Sequence, residues 1–235
     1  MRNPMFFVPF LVVIFLVLFV LLILLFALIQ IGAITIAFAK LGLTTNQVFL
    51  ILLGTLFGSM VNIPIYRRPV SEMPEGTVID LKGVWGHYRL PRYQTRTQTG
   101  QQIVSVNVGG CLIPCLLSIY FLTQIGLSLG LLLSFGLVSL ATFKLARPVQ
   151  GVGIGIPFLL PPLITVLAAW LLAPQEHIPQ VAYIAGSLGT LVGADVLHLM
   201  NTRTMGRLQA PMLSIGGAGT FDGIFLSGIL AVLLA

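Results

Sequence analysis

Charge is what this sequence has least of. Only 8% of its 235 residues are charged, against 57% hydrophobic, whereas a soluble globular domain carries about a quarter charged residues. That shortage excludes a water-soluble globule. The apolar runs are continuous rather than alternating every second residue, which excludes an outer-membrane barrel. Cysteine is scarce as well. Cys111 and Cys115 are the only two, and one helical turn apart they read as small core residues, since a metal site needs more ligands and a disulfide within a regular helix has poor geometry. The chain has no His-Glu-x-x-His, and His87, His177 and His198 are far apart, so a zinc peptidase lacks its first ligands. There is no nucleophile-elbow serine either, and Ser187 in Gly186-Ser187-Leu188-Gly189 has no identified histidine partner. No metal and no cofactor is expected. The net charge of +6 comes from basic residues spread over connecting loops, which form no nucleic-acid recognition module.

What the chain does have is hydrocarbon. It reads as an all-α polytopic membrane protein of about seven transmembrane helices, a single membrane domain over residues 1–235, with membrane lipid as its surroundings. The run from about Met5 to Ala39 exceeds the ~20 residues of one perpendicular crossing. It reads as a retained anchor with Pro9 and Gln30-Ile31-Gly32 as candidate irregularities. Further spans are expected near 45–63, 107–124, 129–143, 151–173, 181–200 and 212–234. Pro157, Pro161 and Pro162 would interrupt the fifth in mid-helix, which is tolerated only where protein or a water cavity satisfies the freed carbonyls. Between the second and third spans, residues 66–102 form a polar insertion. Its β-branched segments at 77–81 and 103–108, with turns at Gly83, Gly86 and Pro91, predict a small cytoplasmic β-hairpin.

Seven spans put Arg2, Arg67, Arg68, Lys82, Arg89, Arg92, Arg96, Lys144, Arg147, Arg203 and Arg207 on one face and Lys40 alone on the other. By the positive-inside rule the first face is cytoplasmic. The expected localisation is a prokaryotic plasma membrane, with the N-terminus and the basic insertion inside and the C-terminus opposite.

Two acids fall within spans, Asp195 and Asp222. A carboxylate at the centre of a transmembrane helix costs about 2.5–3.5 kcal/mol on insertion scales and is a functional-site hypothesis by default. Counting from the cytoplasmic ends of the sixth and seventh spans, the two lie roughly 8 and 15 Å deep at ~1.5 Å per residue. Gly186, Gly189 and Gly193 on one span and Gly216, Gly217 and Gly219 on the other would let the backbones approach closely, and Gly217, Gly219, Phe221 and Gly223 flank the second acid as candidate supports. Two facing carboxyls in a low-dielectric site cannot both ionise cheaply. One stays protonated while the other acts as a base, the arrangement that activates water in aspartic proteases. The plainer reading, a helix-packing pair without chemistry, stays open.

Around this pair, Asn62 and Asn107 lie near the ends of their spans and either line the same cavity or cap helices. His198 follows Asp195 by three residues and shares its face. It would tune the acid or ligate a metal, although an interfacial histidine bonded to a loop is the favoured reading.

Gly219-Thr220-Phe221-Asp222-Gly223-Ile224-Phe225-Leu226-Ser227 resembles the catalytic motif of the presenilin and signal-peptide-peptidase intramembrane proteases, Gly-x-Gly-Asp followed by a phenylalanine-isoleucine-phenylalanine run and a serine. Phe221 stands in place of the second glycine and Gly223 in place of the first phenylalanine. Ala194-Asp195 would take the place of that family's Tyr-Asp. The family's Pro-Ala-Leu motif has its nearest likeness in Pro161-Pro162-Leu163, before rather than after the aspartates. This resemblance implies cleavage of a transmembrane or membrane-proximal peptide, with Asp195 and Asp222 catalytic. Over its whole length the chain more closely resembles an uncharacterised family of prokaryotic integral membrane proteins known only as a domain of unknown function. The expected function is therefore an intramembrane aspartyl protease, and the alternative a proton- or ion-coupled transporter using the same aspartates. A purely structural protein remains behind both.

Overall fold

The computed structural model describes residues 8–70, 100–149, 153–157, 159–201, 212–217 and 223–235. Helix α1 (Val8–Lys40) is one 33-residue helix, so neither Pro9 nor the Gln30–Gly32 stretch ends it. At Gly42, with φ +79°, the chain turns back into α2 (Thr45–Gly58), whose first turn is closed by a capping box between Thr44 and Gln47. Ile31–Lys40 and Thr45–Gly58 are bent by 118° from one another.

The second expected span is shorter than the sequence suggested. Helix α2 stops at Gly58 and the chain becomes strand β1 (Asn62–Val70), antiparallel to β2 (Gly100–Asn107). Pro64 and Pro69 lie in β1, an edge strand of a three-stranded sheet, the position where a missing N–H is tolerated. The two strands bracket the basic insertion. The expected strand at 77–81 lies outside the described residues.

From β2 the chain enters a π-helical turn (Val108–Leu112) and then α3 (Ile113–Ile125). Gly126 reverses it with φ +71°, and α4 (Leu129–Leu145) starts on the Ser128 side chain, which accepts from the Leu131 N–H. A two-stranded ribbon, β3 (Arg147–Val149) with β4 (Gly153–Gly155), precedes α5 (Leu160–Leu172). The fifth span is thereby corrected. Pro161 and Pro162 occupy the first turn of α5 rather than its middle, where the lacking N–H has no partner to lose and the fixed φ already suits a helix. Pro157 precedes the helix altogether.

After a 3-10 turn (Gln175–His177) comes α6 (Ile178–Thr190), which continues through a second π-helical stretch (Leu191–Val196) into α7 (Leu197–Met200). The seventh span is also corrected. Met212–Ile215 is a strand, β5, parallel to β2 in the register Ile103 to Met212 through Val106 to Ile215. Helix α8 covers Gly223–Leu234. Met-Leu-Ser-Ile is apolar throughout, so nothing in its pattern separates a strand from a buried helix. Its partner decides, as Leu213 packs on Val104 and Leu199.

Among the described residues two helices are long and apolar enough to cross a membrane, Val108–Ile125 and Gln175–Met200, or three crossings if the bent pair counts as one. Helices α4 and α5 are shorter apolar helices. Seven independent spans are thus not what the structure displays. It is a mostly helical bundle with a small sheet at one end.

The outer surface of the bundle is unlike that of a water-soluble one. On α5, Thr165 and Ala169 are fully buried while Trp170 is 60% and Leu171 80% exposed. On α4, Ser134 and Thr142 face inward and Leu132, Leu133, Leu137 and Leu140 outward. Small and hydroxylated residues let helices approach, and leucines outside suit an apolar medium. This fits an integral membrane protein. At the core, Phe121 of α3 meets Tyr183 of α6 edge-on at 5.3 Å. Lys40, at the end of α1, donates from Nζ to the Leu233 carbonyl at 3.0 Å, tying the ends of α1 and α8 together.

Candidate functional site around Asp195

Asp195 belongs to the second π-helical stretch, and the wider i→i+5 spacing is explicit where the Leu197 N–H bonds to the Val192 carbonyl. Such single wide turns inside α-helices recur at functional sites. Half-buried, the Asp195 carboxylate accepts the Gly216 N–H at Oδ2, 2.8 Å away. Gly216 follows strand β5 directly, so the sheet delivers this N–H to the acid.

The loop after β5 is held by glycines. Gly216 and Gly217 have φ of +86° and +79°, the left-handed region that side-chain-bearing residues rarely enter. A Cβ on Gly216 would lie 2.6 Å from the Cys111 nitrogen, and a Cβ on Gly110 would collide with the Gly216 carbonyl oxygen. The loop therefore passes between Asp195 on one side and the π turn of 108–112 on the other. Beyond it, Ile224 of α8 packs with Leu191 and Cys111. Asp222, Gly219 and Phe221 lie outside the described residues. Their flanks are described, Gly216-Gly217 on Asp195 and Gly223-Ile224 on the turn just before it.

Asn62 and Asn107 are brought together, but as one polar network rather than a cavity lining. Asn107, fully buried, accepts the Gly110 N–H at 2.8 Å and so caps the π turn. Its Nδ2 donates to the Ser59 carbonyl at 2.8 Å and to Asn62 Oδ1 at 3.1 Å. Ser214 of β5 donates to the same Asn62 oxygen at 2.7 Å. Asn62 thus begins a strand instead of ending a helix, and the network ties β1, β2 and β5 together one residue pair before Gly216.

Among the described residues His198 bonds to its own helix rather than to a loop. It is buried, with Nδ1 3.2 Å from the Gly193 carbonyl of its own helix and its ring 4.6 Å from that of Phe143. Pro161 and Pro162 are buried in the first turn of α5 and Leu163 is exposed, with no polar contact to Asp195 among the described residues. Also among these residues, no three His, Cys, Asp or Glu side chains converge as metal ligands do.

The chain matches the model of a protein family of unknown function, DUF1614, over residues 56–234. It belongs to that family. The DUF1614 match takes in both aspartates, the glycine loop, the asparagine network and helices α3 to α8. No curated protein and no solved structure matches the chain.

Sequence reasoning missed the π turn at 108–112, the Gly110–Gly216 contact and the role of Ser214. The one signal available was the pairing of glycines, Gly109-Gly110 and Gly216-Gly217, at two points where backbones touch.

Proposed function

We propose that this DUF1614 protein is an intramembrane aspartyl protease whose catalytic pair is Asp195 and Asp222. The observation that carries the reading is the hydrogen bond from Gly216 to Asp195. It ties one aspartate to Gly216, six residues before the other, and Ile224, two residues after that other, belongs to one apolar cluster with Leu191 and Cys111. The likeness of residues 219–227 to the presenilin-type motif supports the same assignment. In the mechanism, one carboxyl is ionised and takes a proton from a water whose oxygen adds to the scissile carbonyl. The other gives its proton to the leaving amine as the C–N bond breaks. The substrate is a transmembrane or membrane-proximal peptide.

Quenched-fluorophore peptides spanning liposomes that contain the purified protein test this. Cleavage should fall by about 100-fold or more in Asp195→Ala and in Asp222→Ala. A folded variant of either kind that still cleaves would rule the pair out as the catalytic centre.

A second reading is favoured by a separate observation. Wide helical turns at 108–112 and 191–196 resemble the discontinuous helices around the ion and substrate sites of carriers. A proton- or ion-coupled transporter would move solute across the same liposomes and lose that flux in Asp222→Asn, without cleaving peptide.

A further inference from the structure

One face of α6 carries a file of hydroxyls that neither reading uses. Gln180, Tyr183, Ser187 and Thr190 follow at spacings of three, four and three residues, which puts them on successive turns of one side. The last three are buried to 1% exposure or less. Yet among the described residues Gln180 Oε1, Tyr183 Oη and Ser187 Oγ lack a hydrogen-bond partner. Tyr183 and Ser187 are close enough to interact but not in the geometry of a formed bond. Buried oxygens of this kind are rarely left unpaired in native proteins, and a row of them one turn apart is a place for water.

The file points at α8. A Cβ on Gly228 would collide with Ser187 Oγ, and Thr190 Oγ1 is 3.4 Å from Ser227 Oγ. Asp195 points to the same side, since its partner Gly216 lies against Cys111, which clusters with Ile224 of α8. This shared direction needs the π-helical stretch. Two α-helical turns take about 7.2 residues, so Asp195, eight residues after Ser187, would be rotated roughly 80° off the file in a regular helix. The wider turn absorbs about one extra residue and returns the carboxylate to it. Leu191, packed on Ile224 and Cys111, is the apolar member of this face, and the Thr190–Ser227 pair runs beside it.

We infer that the α6–α8 seam is a proton-access path: water molecules held by Gln180, Tyr183, Ser187, Thr190 and Ser227 connect the Gln180 end of α6 to the Asp195 carboxylate. Neighbouring turns lie about 5–6 Å apart, a gap one bridging water closes. Each water or hydroxyl accepts one proton and passes one on, and the carboxylate at the end becomes the acid. The path needs only that Asp195 exchanges protons, so it holds whether the centre cleaves peptides or couples transport.

Infrared spectroscopy of the full-length protein in lipid, at a pH low enough to protonate Asp195, tests this directly. The carboxylic C=O band lost in Asp195→Asn identifies the group, and its shift on transfer to D2O times the exchange. The double variant Ser187→Ala/Thr190→Val, which removes two hydroxyls with little change of shape, should slow exchange at least tenfold. Thr165→Val, at a buried hydroxyl bonded within its own helix at 2.7 Å, should leave it unchanged. Exchange as fast in the double variant as in the parent, or equally slow in Thr165→Val, overturns the path. A peptide-cleavage assay is independent of this outcome.

Discussion

Two glycines with left-handed backbones separate local strain from packing. Gly42 has φ +79° and open space where a Cβ would go, whereas Gly216 has φ +86° and the Cys111 backbone in the way. Gly42→Ala should therefore lose only the left-handed penalty, about 1–2 kcal/mol. Gly216→Ala should lose more, because the loop on Asp195 must shift as well. A thermal scan in detergent should order the apparent Tm values as parent, Gly42→Ala, then Gly216→Ala, with equal losses counting against the packing of Gly216 on the π turn. Asn107 invites a similar comparison. Asn107→Ala would strand the Gly110 N–H and the Ser59 carbonyl in a buried site, a loss of about 2–4 kcal/mol, while Ser214→Ala removes one part-buried bond and should lose about 1 kcal/mol. At this scale the sequence was informative about chemistry and silent about partners. Asp195 stood out because a charge inside an apolar run is rare, but nothing in the local pattern said that its partner would be the Gly216 N–H. That contact joins residues far apart in the chain.

Among the elements, α5 offers the sharpest contrast between pattern and structure. Prolines inside an apolar run read as a kink, but with α5 starting at Leu160 they fall in its first turn. Pro161→Ala should then change stability by under about 1 kcal/mol, since a first-turn proline breaks no helical bond; urea or thermal unfolding would show it, and a gain of about 3 kcal/mol would restore the mid-helix reading. The π-helical stretch of 191–196 makes a different demand. Because it holds about one residue more than an α-turn, deleting Val192 should be absorbed by reversion to α geometry, with Asp195 still facing α8. Deleting Ile184 from regular α6 should unfold the bundle. Helices α3, α4 and α6 were legible because their apolar runs have helical length and clear ends at Gly126, Ser128 and the 174–177 turn. Strands β1 and β5 were not. Met212–Ile215 is as apolar as a helical run and β1 starts where the apolar run of α2 gives way to polar residues, and it is pairing to β2 that selects the extended form. Neither π turn has a sequence signature that separates it from an α-turn.

For the whole molecule, the leucine-covered exterior and hydroxyl-lined interior describe a bundle solvated by lipid. In a Trp85→Phe background, Trp170 on the outer face of α5 should be quenched by brominated lipid and not by aqueous iodide, and the reverse would put α5 in water. The membrane class was legible from composition alone, since 8% charge leaves no other medium. The number of crossings was not, because a short helix followed by a strand has the same hydropathy as one long helix. The protease proposal rests on Asp195 and Asp222 sharing one site. The most direct test replaces both with cysteine in a Cys111→Ser/Cys115→Ser background and measures cross-linking in native membranes by mild oxidation or a one-carbon bis-thiosulfonate. An Asn62→Cys/Ser214→Cys pair serves as the reference, its parent side chains being 2.7 Å apart. The account predicts that the 195–222 pair links as completely as the reference. A reference that links beside a 195–222 pair that does not would contradict it.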